Sequence, residues 1–224
     1  MATKLPKMTY ATPLAPLQWA TLFGQGKLKY DPENKLDKDD GTNYIYTIQC
    51  VLTQEQATAF EAMAKKFWNE NKPNGLTKQN YFLTKEVMEP TLDAEGKEQK
   101  DEDGAVIEHG TGMFTLEAKT TAMWADGSVN TVKVMRSDMS PLNLHGKVIG
   151  EGSQGVIHGS LGISAFKGNE GLAFYLTAVQ LKKFVEYVGG GEVNAEDLGE
   201  DEGMEDLDMD AVEQTGADSK APAI

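Results

Sequence analysis

One cysteine in 224 residues, Cys50, leaves no partner for an internal disulfide, so a scaffold stapled by cross-links is excluded. Arginine is as scarce: Arg136 stands alone beside 20 lysines. Bidentate reading of guanine edges favours arginine, so sequence-specific recognition of a duplex is poorly served. No run of about 18 apolar residues occurs. The N-terminal MATKLPKMTYATPLAPLQWA also lacks the apolar core of a signal peptide. The expectation is a soluble, intracellular protein with no membrane segment. His109, His145 and His158 lie in separate segments and one cysteine cannot supply a CxxC spacing, so neither a metal nor a cofactor is expected. No nucleophile elbow is present, and the chain reads as a non-enzyme.

Bases are missing from one end in particular. Residues 189–224 hold twelve acids and one base, Lys220, for a net charge of −11. The preceding 188 residues hold 23 acids and 20 bases, net −3. Within EDLGEDEGMEDLDMD, residues 196–210, nine of fifteen side chains are carboxylates, among them Glu200, Asp201, Glu202, Glu205, Asp206, Asp208 and Asp210. Few apolar residues there could anchor a core, and self-repulsion favours a disordered tail after the GGG of 189–191. Residues 1–16, with Pro6, Pro13 and Pro16, read as an extended arm. The span 17–188 reads as a single domain.

Inside that domain the patterns are mostly β. LQWATLFGQGKLKY, 17–30, is a strand broken by Gly24 and Gly26, and DPENKLDKDDGT, 31–42, is a charged loop. NYIYTIQCVL, 43–52, is a strong strand. It runs into a helix: Thr53 and Gln56 form a capping box, Ala57, Phe60, Ala64 and Phe67 keep helical spacing, and Pro73 lies past the end. Residues 89–112, charged and glycine-bearing, read as a long mobile loop. The short runs MFTLEAKTT, SVNTVKVM, GVIHGSLGISAF and GLAFYLTAVQLKKFVEY follow, some separated by turns at Asp126-Gly127 and Gly168-Asn169. The last run admits strand, helix, or one after the other. Five or six strands with one helix between early strands give a mainly β, α+β or small-barrel class.

Gly150, Gly152 and Gly155 match GxGxxG, but the strand-like VIHGSLGISAF follows where a dinucleotide site requires a helix; a hairpin connection is the better reading. Aromatic and basic residues recur together more informatively. Lys27, Lys29 and Tyr30 end the first strand. Lys65, Lys66, Phe67 and Trp68 share the helix, and Tyr81, Phe82 and Lys85 follow it. Trp124, then Lys133 and Arg136, then Phe166 and Lys167 come later. Aromatic faces stack on unpaired bases at roughly 1–3 kcal/mol each, while lysines neutralise phosphates without sequence choice. Phe67, Phe82, Phe114, Phe174 and Phe184 are assigned to the core, whereas Tyr30, Tyr81, Trp124 and Phe166 lie beside loop signals.

The order LQWATLF, YIYTIQCVLT running into a helix, then HGSLGISAF and GLAFYLTAVQLKKF before an acidic tail resembles bacteriophage single-stranded DNA-binding proteins of the T7-like type, over about residues 15–188. The resemblance implies an OB-fold five-stranded barrel with a helix packed between barrel strands. It implies single-stranded DNA bound in a groove during phage replication, recombination and repair, in the cytoplasm of an infected bacterial host. It also implies a tail that competes with DNA for that groove and binds phage or host replication proteins. It places Phe166 and Lys167 on a loop bordering the groove, and Tyr44 and Tyr46 on a central strand facing it. The oligomeric state is left open, a homodimer included. Read without the resemblance, the near-neutral body also admits an acidic, DNA-mimicking protein-interaction module.

Overall fold

Strand β4, Tyr44–Thr53, carries the alternation its sequence predicts: Tyr44, Tyr46, Ile48, Cys50 and Leu52 are all buried. In the computed structural model, which describes residues 6–72, 82–166 and 169–187, β4 is the centre of a nine-stranded sheet. The other strands are β1 (Lys7–Ala11), β2 (Ala15–Thr21), β3 (Lys27–Leu28), β5 (Thr84–Pro90), β6 (Glu108–Thr121), β7 (Lys133–Met135), β8 (Gln154–Phe166) and β9 (Asn169–Lys183). Antiparallel ladders join β2 to β4, β4 to β6, β8 to β9 and β8 back to β2, and β6 meets β9 in parallel at Lys119↔Tyr175. Those five pairings close a ring. Its chain order around the barrel, first, second, third, fifth, fourth, with a parallel third–fifth contact, is the OB arrangement.

Helix α1, Gln54–Asn71, leaves β4 without a loop because Thr53 caps it: its hydroxyl accepts from Gln56 N–H and the Gln56 side chain accepts from Thr53 N–H. Ala57, Phe60, Ala64, Phe67 and Trp68 form its buried stripe. Phe60 meets Tyr10 at 5.1 Å and Phe174 at 6.1 Å between ring centroids, so β1, α1 and β9 share one aromatic cluster. Glu61 fastens the helix to β5, with Oε1 accepting from the backbone of Leu83 and Thr84 and from the Thr84 hydroxyl. Among the described residues no helix is long and apolar enough to cross a membrane, and no group of side chains could hold a metal ion.

Three expectations need correcting. The N-terminal arm is in part a strand: Lys7–Ala11 pairs with β8 from Gly162 to His158, because Met8 and Tyr10 have an apolar surface to cover. Residues 89–112 are not an irregular loop. Thr91, Gln99 and Ile107 bond one another through the backbone in a cycle, and two short turns, 93–97 and 101–105, project from this junction. In each turn the leading Asp accepts from the backbone N–H groups two and four residues on, and a glycine at positive φ (Gly96, Gly104) closes it. Phe82, assigned to the core, is 66% exposed, whereas Phe67, Phe174 and Phe184 are buried and Phe114 packs half-buried against the core. The GEGSQG stretch turns at Glu151-Gly152 and enters β8, with no helix after it. The final apolar run is strand through Lys183.

Cys50 is fully buried, and burial pushes its thiol pKa up to about 12. Thiolate, the reactive species, is therefore suppressed in the native protein. Native protein is expected to resist iodoacetamide, with one alkylation appearing by intact mass only after denaturant is added. Rapid native alkylation would contradict the packing around β4.

Candidate nucleic-acid interface

The connection from β2 to β4, residues 22–43, is built by tight backbone contact. Gly26 has φ +87°, and a Cβ there would come within 2.8 Å of the Ile45 carbonyl oxygen, so only glycine lets Lys27 pair with Ile45. Lys29 Nζ donates to the Thr42 carbonyl at 2.7 Å, and Tyr30 projects 91% exposed. The register Lys27↔Ile45↔Thr121 sets this connection beside the end of β6. There the turn 124–128 presents Trp124, half exposed, and the preceding Met123 lies against Gly41. Lys27, Lys29, Tyr30 and Trp124 thus gather at one end of the barrel.

Other expected site residues are elsewhere. Tyr44 and Tyr46 do not face a groove. They share the inward phase of Ile48 and Cys50, and their hydroxyls donate to the carbonyls of Lys38 (2.9 Å) and Gly24 (2.8 Å). Their role is to hold the 22–43 connection. Lys133, exposed, opens β7 opposite Ala178, three residues along β9 from Tyr175. Arg136 Nη1 donates to the Pro141 carbonyl at 2.6 Å and the Ser140 hydroxyl at 3.3 Å, within its own turn. Phe166 closes the β8–β9 register against Asn169, but its side chain, Tyr81, Lys167 and the acidic tail lie outside the described residues.

Sequence reading missed two aromatics. The β2 ladder slips between Gln18 and Thr21, and Trp19, at φ +51°, is turned outward to 77% exposure. It lines an open cleft of about 650 Å³ on the outer face of β2, β4 and β6, with Lys27, Gln49, Glu117 and Tyr187. Tyr187, 57% exposed, is held by its N–H to the Val148 carbonyl (2.9 Å) and by a bridge between Ile149 and Glu186. Ser153, buried, pins the same segment: its hydroxyl accepts from Val185 N–H and donates to the Val185 carbonyl. A solvent-exposed tryptophan in a strained backbone conformation has no packing role to explain it.

From that cleft one row of paired residues runs on around the barrel: Thr21, Thr47, Lys119, Tyr175, Ser160 and Thr9, on six successive strands. Gly162, beside it, leaves room for the Tyr175 ring, since a Cβ there would lie 2.9 Å from Tyr175 Cε2. Lys7 Nζ stands over that ring, 5.3 Å from its centroid. No carboxylate interrupts the row, and β1, β7 and residues 171–183 of β9 contain no acid while carrying Lys7, Lys133, Lys182 and Lys183. The acids are concentrated elsewhere. Residues 84–108, the projecting ribbon, hold nine acids and three bases, net −6. Removing them from the −3 of residues 1–188 leaves the rest of the domain at +3. The neutral total conceals a lysine-bearing barrel and an acidic extension.

No family model matches this chain, and no curated protein matches it. Among solved structures it is similar to gp2.5, a single-stranded DNA-binding protein encoded by bacteriophage T7, at 15% identity over 88% of this chain and 98% of that one, with TM-score 0.48. It is likewise similar to the single-stranded DNA-binding protein from bacteriophage Enc34 in complex with ssDNA, at 12% identity over 81% of this chain and 89% of that one, with TM-score 0.46.

Proposed function

We propose that this protein binds single-stranded DNA without enzymatic activity and with little choice of sequence, and that it serves phage DNA replication, recombination and repair in the cytoplasm of an infected bacterium. The observation that carries this reading is the acid-free row joining the Trp19–Tyr187 cleft to Lys119, Tyr175 and Lys7. Exposed aromatics supply stacking, which every base can accept, and lysines supply neutralisation that follows a flexible backbone. The outer face of the second and third barrel strands, with the first connection beside it, is also where OB barrels hold oligonucleotides.

The tail, net −11, completes the proposal. Tethered to the domain, it is a polyanion at high effective concentration that competes for the lysine row when DNA is absent. A long single strand displaces it, and the freed carboxylates are then available to replication proteins. Weak ligands such as duplex fall below measurable binding before single strands do, because the tail subtracts the same free energy from both.

Fluorescence polarisation with a labelled single strand and its duplex, using full-length protein and protein ended after Val188, tests this reading. Truncation is expected to strengthen single-strand binding several-fold and to reveal duplex binding, both weakening steeply with salt. Loss of all DNA binding on truncation, or none in either form, would favour the DNA-mimicking interaction module instead. Equal affinities with and without the tail would remove the competition alone.

A further inference from the structure

The cleft floor carries a chemical choice that stacking and phosphate contacts lack. Gln18 stands opposite Gln49, and Gln49 opposite Glu117, so one outward row on β2, β4 and β6 ends in a carboxylate. The two amides bond each other at 3.4 Å, and whichever way they turn, one carbonyl and one amino group remain for a ligand. The Glu117 carboxylate, partly buried, makes no ion pair and accepts no hydrogen bond among the described residues. Lys27 lines the same cleft without reaching ion-pair distance of it.

A carboxylate can only accept, and it repels phosphate. Whatever enters here between Trp19 and Tyr187 therefore keeps its backbone outside and presents a base edge to the floor. Adenine, cytosine and guanine carry an exocyclic amino group that can donate to Glu117. Thymine and uracil offer carbonyl oxygens on either side of one N–H, and those oxygens face the carboxylate unfavourably. Building on the single-strand reading above, we infer that the cleft is a base-edge site that accepts an amino-bearing base and disfavours thymine or uracil, with Glu117 as the discriminating residue.

Oligo-deoxycytidine and oligo-deoxyuridine of equal, short length differ at the ring position that matters, amino against oxo. Their affinities are to be compared at mildly alkaline pH, where cytosine strands do not pair with themselves. The wild-type protein is expected to prefer cytidine by roughly threefold to tenfold, the net worth of one ordinary hydrogen bond, since solvent screens the charge of Glu117 in a half-open site. Glu117→Gln, similar in size but able to donate as well as accept, is expected to bring the ratio near one while leaving cytidine binding measurable. Equal wild-type affinities, a preference for uridine, or a ratio that survives Glu117→Gln would overturn the base-edge site and leave single-strand binding intact. Failure to bind either oligomer would overturn the single-strand reading itself.

Discussion

Trp19→Ala is expected to weaken single-strand binding by about fivefold to more than a hundredfold, corresponding to the roughly 1–3 kcal/mol of one base–aromatic stack. The expectation rests on a cost the fold retains. A non-glycine residue at φ +51° carries about 1–2 kcal/mol of backbone strain, and at 77% exposure the indole recovers little of it through burial. Trp19→Gly should consequently lose binding to the same extent while thermal stability stays level or rises. The three tryptophans allow a second readout. Trp68 is 1% exposed and out of reach of a ligand, so quenching on DNA addition should come from Trp19 and Trp124, and the Trp19 share of it should vanish in Trp19→Ala. A variant that binds and quenches as the wild type does would show that the cleft is not on the DNA path.

Trp19 also shows where sequence reading stops. Strict alternation from Ala15 and Leu17 puts Trp19 inward, and that would be right for an unbroken strand. The bulge shifts the phase so that Ala20 and Leu22 are buried instead. Nothing in LQWATLF marks that slip by itself. The opposite holds for Tyr44 and Tyr46: the alternation with Cys50 and Leu52 gives their inward orientation, and only the resemblance sets them toward a groove. Helix α1 was legible because its capping box and buried stripe are local. Residues 89–112 misled because charge and glycine also suit a ladder of tight turns, in which the Asp side chains at 93 and 101 organise the backbone. The Lys119–Tyr175 neighbourhood depends on one parallel contact between residues 56 positions apart, and no local pattern encodes it.

Replacing Lys7, Lys119 and Lys133 together by alanine is expected to flatten the salt dependence of single-strand binding. Each lysine that neutralises a phosphate contributes about 0.7 to the slope of log affinity against log salt, so the slope should fall by about two. At low salt the affinity should fall by more than tenfold, and near molar salt the variant and wild type should converge. All three are surface side chains, and none is in an ion pair among the described residues, so folding stability should change little. The result separates the two halves of the binding mechanism. Loss of Trp19 removes a contact that salt does not screen and leaves the slope alone, whereas loss of the lysines removes a term that salt already abolishes. If the triple variant kept the wild-type slope, the phosphates would run along another face, and the acid-free row would be a consequence of where the ribbon carries its carboxylates. The same variant should also blunt the effect of tail removal, since the tail and the DNA backbone compete for the same lysines. Truncation after Val188 in that background is expected to change single-strand affinity less than it does in the wild type.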